Sequence, residues 1–203
     1  MAYSLKSWEA IGHSKRDTLL SLIPEEWRIP LPLPPPEILP DVTGHIRQYL
    51  SSKEMEITET DAVDIINCLH EIMFESALQR ASELDAYFAE HKEPIGPLHG
   101  LPVSLKDSIH MKGPKKEKEK EKESQVVTDL RSLGTVIYVK TSVPQGSMSA
   151  ETRNNIIGYT PNPRNRQLTV GGSSGGEGGL LALRGSSVGL GTGIGASTRV
   201  PAG

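Results

Sequence analysis

Apolar residues recur at Leu78, Ala81, Leu84, Tyr87 and Phe88, a spacing of three and four that predicts a helix over Ser76 to Glu90. A second, shorter amphipathic helix is predicted from Trp8 to Leu22. The stretch from Asn67 to Phe74 alternates well enough for a strand, although Thr60 to His91 also reads as one long helix. After the turn residues of EPIGPLHGLP, Val103 to Lys106 is a predicted strand whose end delivers a lysine. Leu130 and Leu133 close a short helix at Gly134, and Thr135 to Lys140 forms the next strand. Leu180 to Leu183, and Val188 with Leu190, are apolar runs that place packed elements on either side of the glycine-rich stretches near the end of the sequence. This alternation of strands and helices argues for an α/β chain with a mixed or parallel sheet.

Three segments lack either period. Ile29 to Pro40, IPLPLPPPEILP, cannot be helical and is expected to lie extended over the surface; a PxxP ligand occurs there but is common by chance. Lys115 to Glu123 alternates lysine and glutamate, which predicts a solvated linker. Asn154 to Asn165, with two prolines, is expected to be a surface connection.

Composition narrows the classes. With 203 residues, 36% hydrophobic and 23% charged, the sequence suffices for one globular domain, while 4% aromatic content predicts a modest core. A formal net charge of −3 gives no basic footprint for nucleic acid. No apolar run is long enough for a membrane span, and MAYSLKSWEA lacks the apolar segment of a secretory signal, so a cytoplasmic protein without membrane partners is expected. Cys68 is the sole cysteine; it excludes an internal disulfide and a multi-cysteine metal site, and is expected in the core. No His/Asp/Glu cluster has metal-ligand spacing, so no metal and no cofactor is expected.

The chemistry concentrates in two glycine-rich loops, GGSSGGEGG from Gly171 to Gly179 and GLGTGIGASTR from Gly189 to Arg199. They place Ser173 and Ser197 where backbone can approach a substrate closely. With Lys106 in VSLKDS they supply what acyl transfer needs: a hydroxyl nucleophile, free N–H groups for an oxyanion, and a base. Two other hydrolytic or nucleotide-binding readings fail. Gly171, Ser173 and Gly175 satisfy G-x-S-x-G, but an α/β-hydrolase needs a histidine after its serine, and all six histidines precede Ser173. Gly191, Gly193 and Ala196 match a relaxed dinucleotide fingerprint, whose ribose-binding acid would fall beyond Gly203.

The two loops and the SLKD segment resemble the amidase signature family, and the likeness extends through PEEWRIP, EITET, NCLHEIMF, GPLHGLPVSLKD, KTSVPQ and NNIIGYTPNPRN to the fungal acetamidase branch. It covers nearly the whole chain but only the N-terminal part of a family member. The resemblance therefore implies a mixed-sheet α/β fold, truncated so that the sheet is incomplete, with residues 1–60 as a helical and proline-rich extension and 61–203 as a partial catalytic domain. It also implies a Ser–cis-Ser–Lys relay: Ser197 as nucleophile, Ser173 as the bridging serine and Lys106 as the base. The N–H groups of Ile194, Gly195, Ala196 and Ser197 would hold the oxyanion, and the substrate would be a small carboxylic amide.

Several positions depart from the family pattern. Gly193 replaces the aspartate of GTDIGGS, which would leave Arg199 unpaired, and Ala196 replaces a glycine where positive φ is needed. Only Val63 to Ile66 separate ITETDA from NCLHEI, and HMKG runs directly into PKKEKEKEKES where the family has a loop near the substrate. The competing expectation is a truncated, inactive amidase-like protein or binding fragment. An incomplete sheet edge would favour self-association.

Overall fold

A computed structural model describes residues 8–22, 35–37, 66–112 and 123–203. Most of the Pro-rich segment and of the Lys/Glu run lie outside these residues. The described elements are α1 (Trp8–Ser21), β1 (Leu69–Ile72), α2 (Phe74–His91), β2 (Pro102–Lys106), α3 (Gln125–Ser132), β3 (Val136–Thr141), β4 (Arg153–Asn154), β5 (Gly158–Tyr159), β6 (Pro161–Asn162), β7 (Asn165–Thr169), α4 (Gly175–Ala182), β8 (Val188–Leu190) and α5 (Arg199–Ala202). The alternative of one helix from Thr60 to His91 is overturned, because Leu69–Ile72 pairs with β3 and the helix begins only at Phe74.

Four strands form the main sheet in the order β1-β3-β2-β8. β1 runs antiparallel to β3, while β2 is parallel to both β3 and β8, so the sheet is mixed. β3 reads VIYVKT and is buried along its whole length, as a strand covered on both faces must be. Alternation along β2 divides its side chains between those faces. Val103 and Leu105 join a core with Ile109, Met111, Val127 and Ile137. Ser104 and Lys106 point the other way, and both contact the α4 side, where Ser173 and Glu177 lie. A second core gathers Leu19 of α1, Leu69, Ile72, Leu84, Val139, Leu180 and Leu183, with Cys68 fully buried among them.

Helix ends follow from local sequence. Lys92, in the left-handed conformation, closes α2 by donating its N–H to the Phe88 carbonyl. Gly134, with φ of +93°, turns the chain from α3 into β3; a side chain there would run into the backbone of His99.

Asn154 to Asn165 is not a plain surface connection. It folds into two antiparallel ribbons, β4-β5 and β6-β7, and buries Ile157 and Thr160. Polar side chains organise it: Asn154 Oδ1 accepts from the N–H groups of Ile156 and Ile157, and Thr160 Oγ1 donates to the Asn67 carbonyl. Glu123, the last residue of the Lys/Glu run, is largely buried instead of solvated, because Arg131 pairs with it at 3.2 Å and the Lys112 N–H donates to it at 3.0 Å.

Candidate active site

The register of the parallel strands sets the site. Lys106 pairs with Thr141 at the ends of β2 and β3, and Leu105 with Leu190 at the end of β8. Side chains and loops therefore converge at the carboxyl edge of three parallel strands, where open α/β sheets hold their ligands.

Lys106 is 1% exposed although it carries an amine. Its Nζ lies 2.8 Å from Ser173 Oγ and donates to the Thr192 carbonyl at 2.9 Å. Burial lowers the pKa of this amine from the ordinary lysine value, because removal from water penalises the ammonium form. Ser173 is 1% exposed, and the Gly172–Ser173 peptide bond is cis.

The two glycine-rich loops are stitched together by the next residue. The Ser174 N–H donates to the Ser197 carbonyl at 3.0 Å, and Ser174 Oγ donates to the Thr192 carbonyl at the same distance. Ser197 is thereby held beside the α4 N-terminus, half-buried, while Ile194 is fully exposed. Among the described residues no hydrogen bond joins Ser197 Oγ to Ser173 Oγ. The N–H groups of Ile194, Gly195, Ala196 and Ser197 likewise donate to no acceptor there, so they remain available to an oxyanion. These residues form a turn ahead of α5 instead of its first helical turn, and Val200 N–H returns to the Ala196 carbonyl.

Both departures noted in the second loop have structural counterparts. Ala196 adopts a φ of +66°, the left-handed region where a Cβ costs roughly 1–2 kcal/mol. A Cβ at Gly193 would sit 3.2 Å from the backbone nitrogens of Ser197 and Thr198, so this is the direction from which a side chain could anchor the turn; glycine supplies none. Arg199 is exposed and has no ion pair among the described residues.

Sequence reasoning missed one charged residue of the site. Glu177, on α4, is 3% exposed; Oε2 accepts from Ser104 Oγ and Oε1 from Thr141 Oγ1, each at 2.8 Å. Burial raises its pKa from 4.5 to about 7, against the two hydrogen bonds that lower it. Gly189 of β8 is opposite, and any Cβ there would collide with the Glu177 carboxylate. The available signal was a single carboxylate inside the otherwise apolar run GGEGGLLAL. Thr192 was also missed, since it acts through its carbonyl and no side-chain pattern marks it.

A cavity of about 590 Å³ lies between α4, β8 and α5, lined by Ser174, Glu177, Gly191 and Thr198 among others; Lys106, Ser173 and Ser197 are not part of its wall.

These features can be set beside known proteins. The sequence profile of the amidase family matches residues 57–203. The chain belongs to the amidase signature family. It is 43% identical to an acetamidase of Emericella nidulans over 235 aligned positions, covering 97% of this chain and 42% of that protein. An acetamidase of Aspergillus oryzae is 42% identical over 97% of this chain and 42% of its own length. Because 235 positions exceed the 203 residues present, the alignment opens gaps within this chain, in keeping with internal losses. Among solved structures, a fatty acid amide hydrolase superposes with a TM-score of 0.78 at 32% identity, over 97% of this chain and 42% of that one. The chain thus spans about two fifths of the length of these relatives.

Proposed function

We propose that this chain carries the Ser-Ser-Lys half of an amidase that cleaves the C–N bond of a small carboxylic amide. The observation that carries the reading is the 2.8 Å approach of the buried Lys106 amine to Ser173 Oγ, with Ser197 tied to the adjoining residue. In its neutral form Lys106 accepts the Ser173 hydroxyl proton, and Ser173 in turn takes the proton of Ser197. Ser197 Oγ then adds to the amide carbonyl, and the developing oxyanion is held by the free N–H groups of the 194–197 turn. Collapse breaks the C–N bond as Ser173 returns a proton to the leaving nitrogen. Water hydrolyses the acyl-serine by the same relay, giving the acid and ammonia or an amine. None of these steps calls on a cofactor. The acetamidases to which the chain is similar support an acetamide-sized acyl group.

The division into a 1–60 extension and a 61–203 catalytic unit belongs to the same proposal, as does a cytoplasmic location. Among the described residues no helix is long and apolar enough to cross a membrane. Self-association through β8 is part of it too: among the described residues that strand has a neighbour only on its β2 side, and Val188 is 42% exposed.

A second reading, an inactive amidase-like fragment, is favoured by the absence of a Ser197–Ser173 hydrogen bond together with the strained Ala196. Treatment of the purified chain with a fluorophosphonate, followed by mass-spectrometric mapping beside Lys106→Ala, separates the two. The enzyme reading expects an adduct on Ser197 that disappears in the variant; no adduct on a folded sample leaves the inactive fragment.

A further inference from the structure

Glu177 is a costly residue to keep. A carboxyl group at 3% exposure gives up its hydration, and two hydroxyl donors return only part of what water supplied. An apolar side chain would suit α4, whose other inward positions are small or aliphatic. What the carboxylate achieves is geometric. One oxygen reaches β2 through Ser104, and the other reaches β3 through Thr141, so a single side chain fastens α4 to two adjacent strands. The anchor points are the ones that matter for Lys106. Ser104 lies two residues before it on the same face of β2, and Thr141 is its paired residue across the sheet. Four residues back along the same chain, Ser173 meets the Lys106 amine immediately before α4 begins.

We propose that Glu177 is a positioning residue for the Lys106–Ser173 pair, its carboxylate locking the serine-bearing helix to the two strand ends that present the lysine. This rests on the amidase reading given above for the value of that pair, but the clamp itself is a separate claim about geometry. Close packing supports it: Gly176 faces the Ser142 backbone without room for a Cβ, and Gly189 leaves the space the carboxylate fills. The helix can therefore approach the sheet only as far as these contacts allow, and the two hydroxyl bonds fix where along the strands it stops.

Among the described residues the groups facing Glu177 are few. Ser104 comes from β2, with Lys106 two residues on along the same strand, Thr141 from β3, and the buried Cys68 thiol from the residue before β1; Cys68 is raised by burial and then by the Glu177 charge. Arg164 shares the adjoining cavity, β8 presents glycine backbone, and α5 contributes Pro201 and Ala202, which do not titrate.

The test compares the unaltered chain with Glu177→Gln and Glu177→Ala, reading fluorophosphonate labelling of Ser197 and reductive methylation of the Lys106 amine between pH 5 and 9. Glu177→Ala should methylate Lys106 faster and lose roughly tenfold in labelling rate. Glu177→Gln, which keeps the shape and an acceptor, should recover most of the labelling but lose the inflection near pH 7 that the ionising carboxyl imposes. Circular dichroism confirms that each sample is folded, and Glu177→Gln decides the matter alone if the alanine variant does not fold. Labelling of the unaltered chain with no change in either variant, in rate or in pH profile, overturns the clamp and leaves the amidase reading standing. Faster Lys106 methylation in a variant, with no Ser197 adduct in any sample, upholds the clamp and removes the amidase reading.

Discussion

Lys106 and Ser173 are each 1% exposed, whereas the turn that holds Ser197 carries a fully exposed Ile194 and an exposed Gly195. The first pair is enclosed by three strands and a helix, and buried hydrogen bonds join Lys106 to Ser173 and Glu177 to Ser104 and Thr141. The second half of the site hangs on Ser174, through one N–H and one hydroxyl, and on the Lys106 amine at the Thr192 carbonyl. Both departures in the second glycine-rich loop fall on one side of this divide. Gly193 and Ala196 fall in the exposed half, where a change strains one turn; in the enclosed half the same volume change would displace a strand or α4.

The contrast can be broken most severely from the enclosed side. Replacing Lys106 with methionine keeps the volume and removes the amine proposed as the base, so labelling of Ser197 should fall by about 10²–10⁴, the usual worth of a positioned general base. The same experiment bears on pH: because burial lowers the Lys106 pKa, labelling should climb on the alkaline side at a lower pH than an ordinary lysine would allow. A profile that rises only where free lysine titrates would contradict the enclosure.

Next in size is the stability effect of Glu177. Its pKa is raised from 4.5 to about 7, so between these values the folded chain holds a proton that the unfolded chain has lost. The stabilisation that results is fully present below pH 4.5 and disappears as pH rises through 7. Glu177→Gln should therefore flatten the dependence of unfolding free energy on pH and leave the variant up to about 3 kcal/mol more stable than the parent at pH 8. Denaturant melts at pH 5 and pH 8 check this. A variant more stable at pH 8 yet slower in labelling would show stability given up for geometry.

The exposed half should respond in the opposite sense and by less. Ala196→Gly relieves a left-handed alanine, with an expected gain of about 1 kcal/mol in thermal or denaturant stability. It should also raise the labelling rate of Ser197, since a relaxed turn holds its N–H groups in one arrangement. No change in either reading would mean that the turn is already relaxed.

The smallest effect lies outside both halves. Lys15 Nζ of α1 is 2.8 Å from His70 Nε2, and His70 is lowered mainly by burial, partly offset by Asp107, with Lys15 lowering it further. Lys15→Met should raise the His70 pKa, measured by NMR titration of the imidazole, with no effect on Ser197 labelling.

How much of this was legible beforehand depended on whether the signal was periodic or chemical. The helix at Phe74–His91 and the strands ending at Lys106 and Thr141 were readable because both kinds of element bury a regular set of apolar positions. The ribbons between Arg153 and Thr169 were not, since their order comes from asparagine and threonine side chains bonding to backbone and leaves no period of two. The mixed sheet was expected from the alternation of elements together with the family likeness, and Ser173, Ser197 and Lys106 from long motifs. Glu177 escaped because a lone carboxylate in an apolar helix looks the same whether it faces solvent or two hydroxyls. Thr192 escaped because a carbonyl has no sequence signature at all.

The bonds that make the site also span long stretches of chain: Lys106 and Ser173 are 67 residues apart, and Ser104 and Glu177 are 73 apart. Closing loops of that length returns nothing until the ends have met, so such contacts form late, after α2 and its neighbouring strands have condensed. A chain emerging during synthesis therefore has its lysine strand made well before its serines arrive, and labelling competence is expected only in the final phase of refolding.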